Sequence, residues 1–242
     1  MAKAANSSWL ARRLQGAIEA GLSSAYHHVK VDPAKYLAHL RRAYGLPVQS
    51  FGEMHKLPLP VIDYLSEDTI RAARKFGLAE GAGLGLGGVF SILPDIGALS
   101  AITIRMVQKL SLIHGFEYST DEEVADLWIA TASAAGVDLG KELVEKHLLE
   151  RFVPRVIERV AVKAGSELTE KLAARMVPLL SAALGGTLNY YFVRSWGNRA
   201  QRHFRERCLL SRRYLGVGAD DADATPQSDI LQLQSLRDER SQ

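Results

Sequence analysis

A single carboxylate, Asp95, stands inside a stretch that otherwise avoids charge. Residues Gly81 to Pro94 carry none, and nine more uncharged residues follow before Arg105. An ionised carboxylate in apolar surroundings is costly unless it is paired or hydrogen-bonded. Two kinds of chemistry are open to it. At a helix start, free amides and the helix dipole favour an anion by roughly 0.3–1 kcal/mol. As half of a buried ion pair or as a polar group at a ligand site, it needs a cation, and Arg105, Arg194 and Arg199 are the partners to test. A second polar intrusion, Asn189-Tyr190-Tyr191, lies near the end of another apolar run, Met176 to Val193. Tyrosine at such a boundary suits either a bilayer interface or the cap of a protein core. Asp95, Asn189 and Tyr190 are therefore the candidates for catalytic or polar-site work. The arginines that follow, Arg194, Arg199, Arg202 and Arg205, are candidates for binding lipid head groups or other anions, each contributing about 1 kcal/mol near an anionic surface.

Other chemistries find little support. Gly83-Leu84-Gly85-Leu86-Gly87-Gly88 satisfies G-x-G-x-x-G, but a dinucleotide site needs a strand before it and an acid about 20 residues on. Here a charged helical segment precedes it and Thr103 occupies the acid's position. Close helix packing is the better reading, since Gly81 with Gly85, Gly83 with Gly87, and Ala182 with Gly186 repeat small residues every four positions. The adjacent His27 and His28 point about 100° apart on a helix, and no histidine pairs with an acid at ligand spacing. No metal and no cofactor is expected. The arginine cluster has no accompanying nucleic-acid-binding pattern, so nucleic acid is not an expected partner. Cys208 is the single cysteine; it excludes an intramolecular disulfide and fits a reducing compartment. With no secretory pattern in the first thirty residues, the expectation is a protein made and kept in the cytosol.

The elements that must position these residues read as helices. Trp9, Leu10, Leu14, Ala17, Ile18 and Gly21 form an apolar stripe with Arg12, Arg13 and Glu19 off it, a short basic amphipathic helix. Pro33 to Tyr44 predicts a second helix, followed by a proline-punctuated connector to Pro60. Ser66-Glu67-Asp68-Thr69 reads as a helix start, and Leu93-Pro94-Asp95 as the next, ending at His114-Gly115. A capping box precedes the following helix in one of two registers, Ser119 with Glu122 or Thr120 with Glu123. Pro154 is expected to kink or split a helical segment from Val137 to Leu172, and a basic helix then runs to about Arg213.

The fold class that results is all-α: a multi-helix bundle with two apolar, glycine-rich helical hairpin or core segments. Its divisions are an N-terminal amphipathic helix and connector (1–56), a helical domain (57–215), and a disordered acidic tail (216–242). Each apolar run is short or broken as a membrane span, which needs roughly 20 apolar residues. Three fates are weighed: core of a soluble or peripheral bundle, a shallow re-entrant hairpin, or a full crossing.

From about Leu57 to Arg213 the chain resembles the EcsC protein family. The residues that carry the resemblance are Ile92-Leu93-Pro94-Asp95-Ile96, Ile113-His114-Gly115-Phe116, Thr120-Asp121-Glu122-Glu123, Val177-Pro178 through Gly185-Gly186, Asn189-Tyr190-Tyr191-Phe192 and the basic helix Arg199–Arg207. The family takes its name from a reading frame beside an ABC transporter, so the resemblance implies a bacterial, membrane-linked context and no mechanism. The expected function is a membrane-associated helical protein, leaning away from enzyme, accessory to a transporter or a lipid or envelope process. It would be cytoplasmic, and peripheral to or partly inserted in the inner membrane. Its expected partners are a membrane surface or lipid and a membrane protein such as an ABC transporter; a homo-oligomer is also admitted. One alternative is an enzyme acting on a lipid-like substrate in an apolar cavity around Asp95. Another is a soluble, self-associating helical bundle.

Overall fold

The computed structural model describes residues 2–84, 92–140, 146, 148–174, 181–217 and 235, with side chains for 9, 11–77, 97–140, 146, 148–170, 190–217 and 235. All regular structure among them is helical: α1 (Ala2–His28), α2 (Pro33–Tyr44), a 3-10 turn (Phe51–Lys56), α3 (Leu59–Leu84), α4 (Ile92–Ile113), α5 (Asp121–Ala135), α6 (Leu149–Ala174) and α7 (Ser181–Tyr214). The all-α bundle expected from sequence is the fold.

Local chemistry sets several boundaries. Asp32 caps α2 by accepting the Lys35 amide, with Pro33 in the first turn and Gly45 left-handed at the far end. Of the two capping registers before α5, Thr120 with Glu123 forms the box. Gly115, at φ +85°, turns the chain out of α4.

Three expectations change. α3 begins at Leu59, not at Ser66. Pro60 falls in its first turn, where a missing amide costs nothing, while Ser66 is buried and returns its hydroxyl to the Ile62 carbonyl. Asp68, read as a helix-start charge, is buried and accepts the Tyr44 hydroxyl at 2.7 Å. α6 is not split at Pro154: one helix runs through it. Pro154 lies on the exposed face, while Phe152, Val153, Val156 and Ile157 are buried and hold the helix to the core. Finally, the described part of the second apolar run, from Ser181 on, and the basic helix belong to one 34-residue helix, α7.

Paired contacts fix the helix directions. On α3 and α7, Asp63 meets Arg205, Ile70 faces Gly197, and Arg74 lies over Tyr190, so the two are antiparallel. α4 runs with α7, Met106 facing Gly197 and His114 stacking near Phe204. α1 runs with α4: Gly21 packs on Gly97 and Ser100, and Gln108 bonds to Val29 and Val31 just beyond α1. α6 opposes α1, with Gly165 against Gln15 and Leu149 and Glu150 lining one cavity with Tyr26. α5 opposes α7, with Asp126 meeting Arg207 and Ala134 meeting Arg199. Thus α1, α4 and α7 point one way and α3, α5 and α6 the other. One end of the bundle therefore gathers the starts of α1, α4 and α7 with the finishes of α3 and α6. The described parts of both apolar runs belong to the finish of α3 and to α4 and the start of α7. Among the described residues no helix is long and apolar enough to cross a membrane.

The core is continuous through the helices. Along α7, Trp196, Ala200, Phe204 and Cys208 recur every fourth residue, all at 1% exposure or less. That stripe faces inward, continues to buried Arg212, and leaves the other arginines to the flanks and surface.

Candidate functional site

At the end that gathers both runs, α3 and α7 bring aromatic rings and cations together. The Arg74 guanidinium lies 4.1 Å from the centre of the Tyr190 ring, a distance that makes a cation–π contact. Tyr190 in turn meets Tyr191 edge to face at 6.2 Å. The Arg74 Nε–H is buried and has no acceptor. Burial, then the nearby Arg194 and Arg71, pull the Arg74 pKa below its ordinary value. Arg71 has a carboxylate at hand, Asp68 at 3.4 Å; Arg74 and Arg194 have no acidic partner among the described residues. Around them Phe76 is 66% exposed and Tyr191 50%, and across the same end Trp9 is 42% exposed beneath Arg13.

The residues expected to do chemistry are distributed as follows. Asp95 lies in the first turn of α4 and Asn189 in α7; the side chains of both, and so any pairing of Asp95 with Arg105, Arg194 or Arg199, lie outside the described residues. Gly81 and Gly83 lie in α3 and Ala182 and Gly186 in α7; Gly85 and Gly87, and the packing of all three pairs, lie outside the described residues, as does nearly all of the expected tail, 216–242. Tyr190 is half-buried against Arg74, and Arg194 and Arg202 are exposed. Arg199 and Arg205 have internal partners. Arg199 Nε donates to the Ala134 carbonyl at the C-terminus of α5, where a cation also suits the helix dipole. Arg205 Nε donates to both Asp63 oxygens, at 3.0 and 3.2 Å. Two further arginines act alike: Arg207 pairs with Asp126 at 2.8 Å, and buried Arg212 donates to the Leu57 carbonyl at 2.7 Å. Four of the seven arginines thus fasten α7 to the bundle.

Sequence reasoning passed over Arg71 and Arg74, reading them only as part of a charged helical segment. Their spacing with Lys75, at i, i+3 and i+4 just before a glycine-rich apolar run, was the available signal. A helix places such residues on one face.

A cavity of about 570 Å³ lies elsewhere, between α1, α4, α5 and α6. Its apolar wall includes Ile104, Leu127, Trp128 and Ile157. Of the polar groups that line it, Gln108 bonds to Val29 and Val31, Thr131 to Leu127, and the Tyr118 hydroxyl to Val31. Ile104 is nine residues beyond Asp95, about 14 Å along α4 at 1.5 Å per residue. The described lining does not centre on the Asp95 turn.

Among the described residues no three His, Cys, Asp or Glu side chains gather as a metal site. Cys208 Sγ lies 3.5 Å from His55 Nδ1, both buried. Burial pushes the thiol pKa up and the imidazole pKa down, which favours the two neutral, unreactive forms.

The class of protein that the described residues define is an all-α helical bundle. The family model for the EcsC protein family matches residues 7–209, and the chain belongs to that family. The match begins inside α1, well before Leu57. Protein EcsC of Bacillus subtilis (strain 168) is 24% identical over 203 residues, covering 82% of this chain and 85% of that protein. Uncharacterized protein YdbA of the same organism is 28% identical over 113 residues, 47% of this chain and 42% of that one. No solved structure matches.

Proposed function

We propose that this protein is a peripheral membrane protein that docks end-on, through the end where both apolar runs meet. The observation that carries this reading is the helix directions: residues far apart in sequence (Trp9, Phe76 and Tyr191) are exposed at the same end. Arg12, Arg13, Lys75 and Arg194 are exposed on the halves of α1, α3 and α7 that lead to that end. Aromatic rings and basic groups together suit the boundary between hydrocarbon and an anionic head-group layer. Docking would be on the cytoplasmic face, beside a membrane protein such as a transporter; the membership in the EcsC family supports this context. The reading does not require an enzymatic step.

Sedimentation with lipid vesicles and tryptophan fluorescence test it. Of the three tryptophans, Trp128 and Trp196 are already buried and Trp9 is half-exposed. Anionic vesicles should bind the protein and shift its emission to the blue, and Trp9→Phe should remove most of the shift while leaving binding. Failure to sediment with any vesicle composition at low salt overturns the proposal.

A further inference from the structure

We propose that Arg74 and Arg194, with the Tyr190 ring as the platform under Arg74, form a binding site for the phosphate group of an anionic phospholipid. The inference deepens the membrane reading above and rests on it for the source of the phosphate. Its starting point is a missing acceptor. Buried polar groups in folded proteins are almost always hydrogen-bonded, yet the Nε–H of Arg74 is shielded from water and bonds to nothing. The contact with Tyr190, at 4.1 Å, orients the guanidinium plane and supplies no counter-charge. Arg71 and Arg194 lie close enough to disfavour the Arg74 cation further. The carboxylate in this group, Asp68, is already engaged by the Tyr44 hydroxyl and by Arg71. Among the described residues, Arg74 and Arg194 thus lack an acidic partner, and Asp68 is the carboxylate at Arg71. A planar guanidinium presents its donors in a fork that matches phosphate oxygens in pairs, and a second arginine on the neighbouring helix allows one phosphate to be held from two sides.

The site's position selects the source. Tyr191, half exposed, adjoins Tyr190, and Phe76, 66% exposed, lies two residues from Arg74 on α3. If those side chains sit at the bilayer interface, Arg74 and Arg194 meet the layer in which lipid phosphates lie. The stacking on Tyr190 and the shielded Nε–H distinguish Arg74 from the exposed arginines, whose interaction with a membrane needs charge alone.

The experiment compares vesicles of matched surface charge, one set carrying phosphatidylglycerol and the other a fatty acid carboxylate, together with glycerol 3-phosphate free in solution. Wild-type protein should prefer the phosphate-bearing vesicles. Arg74→Gln and Arg194→Gln should each reduce that preference by about tenfold, the loss expected for one charge-assisted hydrogen-bonded contact. Arg74→Lys should not restore it, since lysine keeps the charge and loses the fork. Thermal melts check the fold: Arg74→Gln should melt no lower than wild type, because it removes a desolvated, repelled cation. Equal binding of wild type to the two vesicle sets overturns the phosphate site and leaves the membrane reading standing. So does full restoration by Arg74→Lys. Binding of glycerol 3-phosphate that depends on Arg74, with no vesicle binding at all, overturns the lipid source and the membrane reading while the phosphate chemistry survives. If glycerol 3-phosphate and vesicles both fail to bind, both proposals fall.

Discussion

His114 is fully buried where α4 ends, and its Nδ1 lies 2.8 Å from the Leu110 carbonyl. Its Nε2 has no partner, so the neutral ring with the proton on Nδ1 is the form this site accepts. Burial holds its pKa down at about 4, below the ordinary value of 6.5. Between those two values the unfolded chain takes up a proton that the folded protein refuses. Stability is therefore fully present above pH 6.5 and declines as pH falls toward 4, at about 1.4 kcal/mol per pH unit from this residue. His55 and His203, also held down by burial, add to the same slope. His114→Phe should flatten part of that decline, read as denaturant midpoints across pH 4–7, and should leave the pH 7–8 behaviour as it was. An unchanged slope in the variant would mean that His114 protonates without unfolding the protein.

At the scale of elements, the bundle depends on helices that touch through glycine. A Cβ on Gly165 would lie 3.1 Å from the Gln15 backbone nitrogen and 3.2 Å from its Cα. Alanine in a helix interior is favoured over glycine by about 1 kcal/mol. Overpacking against a backbone that cannot rotate away costs about 1–3 kcal/mol, so the contact should win. Gly165→Ala is expected to be net destabilising by about 1 kcal/mol, measured by chemical denaturation. A stabilised variant would show that α1 can shift away from α6 at little cost. As a control, Gly16→Ala meets no atom within 4 Å and should stabilise α1. The arginines of α7 belong to this scale as well. Arg199 and Arg207 reach α5, Arg205 reaches α3 and Arg212 reaches the chain just before α3, so one basic helix serves as a seam along them.

For the whole molecule, the direction of each helix decides what its ends can meet. With α1, α4 and α7 antiparallel to α3 and α6, exposed cations from three helices share one end with Trp9, Phe76 and Tyr191. Charge and apolar contact should then both contribute to vesicle binding, and salt separates them. The screening length shortens from about 10 Å at 0.1 M to about 3 Å at 1 M. Sedimentation with anionic vesicles is expected to weaken over that range without vanishing, with the residue of binding carried by the aromatic side chains. Binding indifferent to salt and to lipid charge would remove the arginines and lysine from the docking role and leave insertion alone.

The helices whose ends are set by nearby atoms were legible in the chain itself. Asp32 with Lys35, Thr120 with Glu123, and the left-handed Gly115 all act within a few residues, so their residue types announce the boundary. Ser66 misled because its capping chemistry was real but unused: Leu59, Ile62 and Leu65 have core positions to fill, and helix formation extends upstream to place them. The arginines show the same limit. Seven alike residues within twenty gave no sign of which would be tied and which left free, because the choice depends on the carboxylate or carbonyl another helix presents. Arg74 and Tyr190 are separated by more than a hundred residues, and no local pattern links them. Their contact exists because buried faces of α3 and α7 pack antiparallel, and long-range packing, not local propensity, selects partners at that separation.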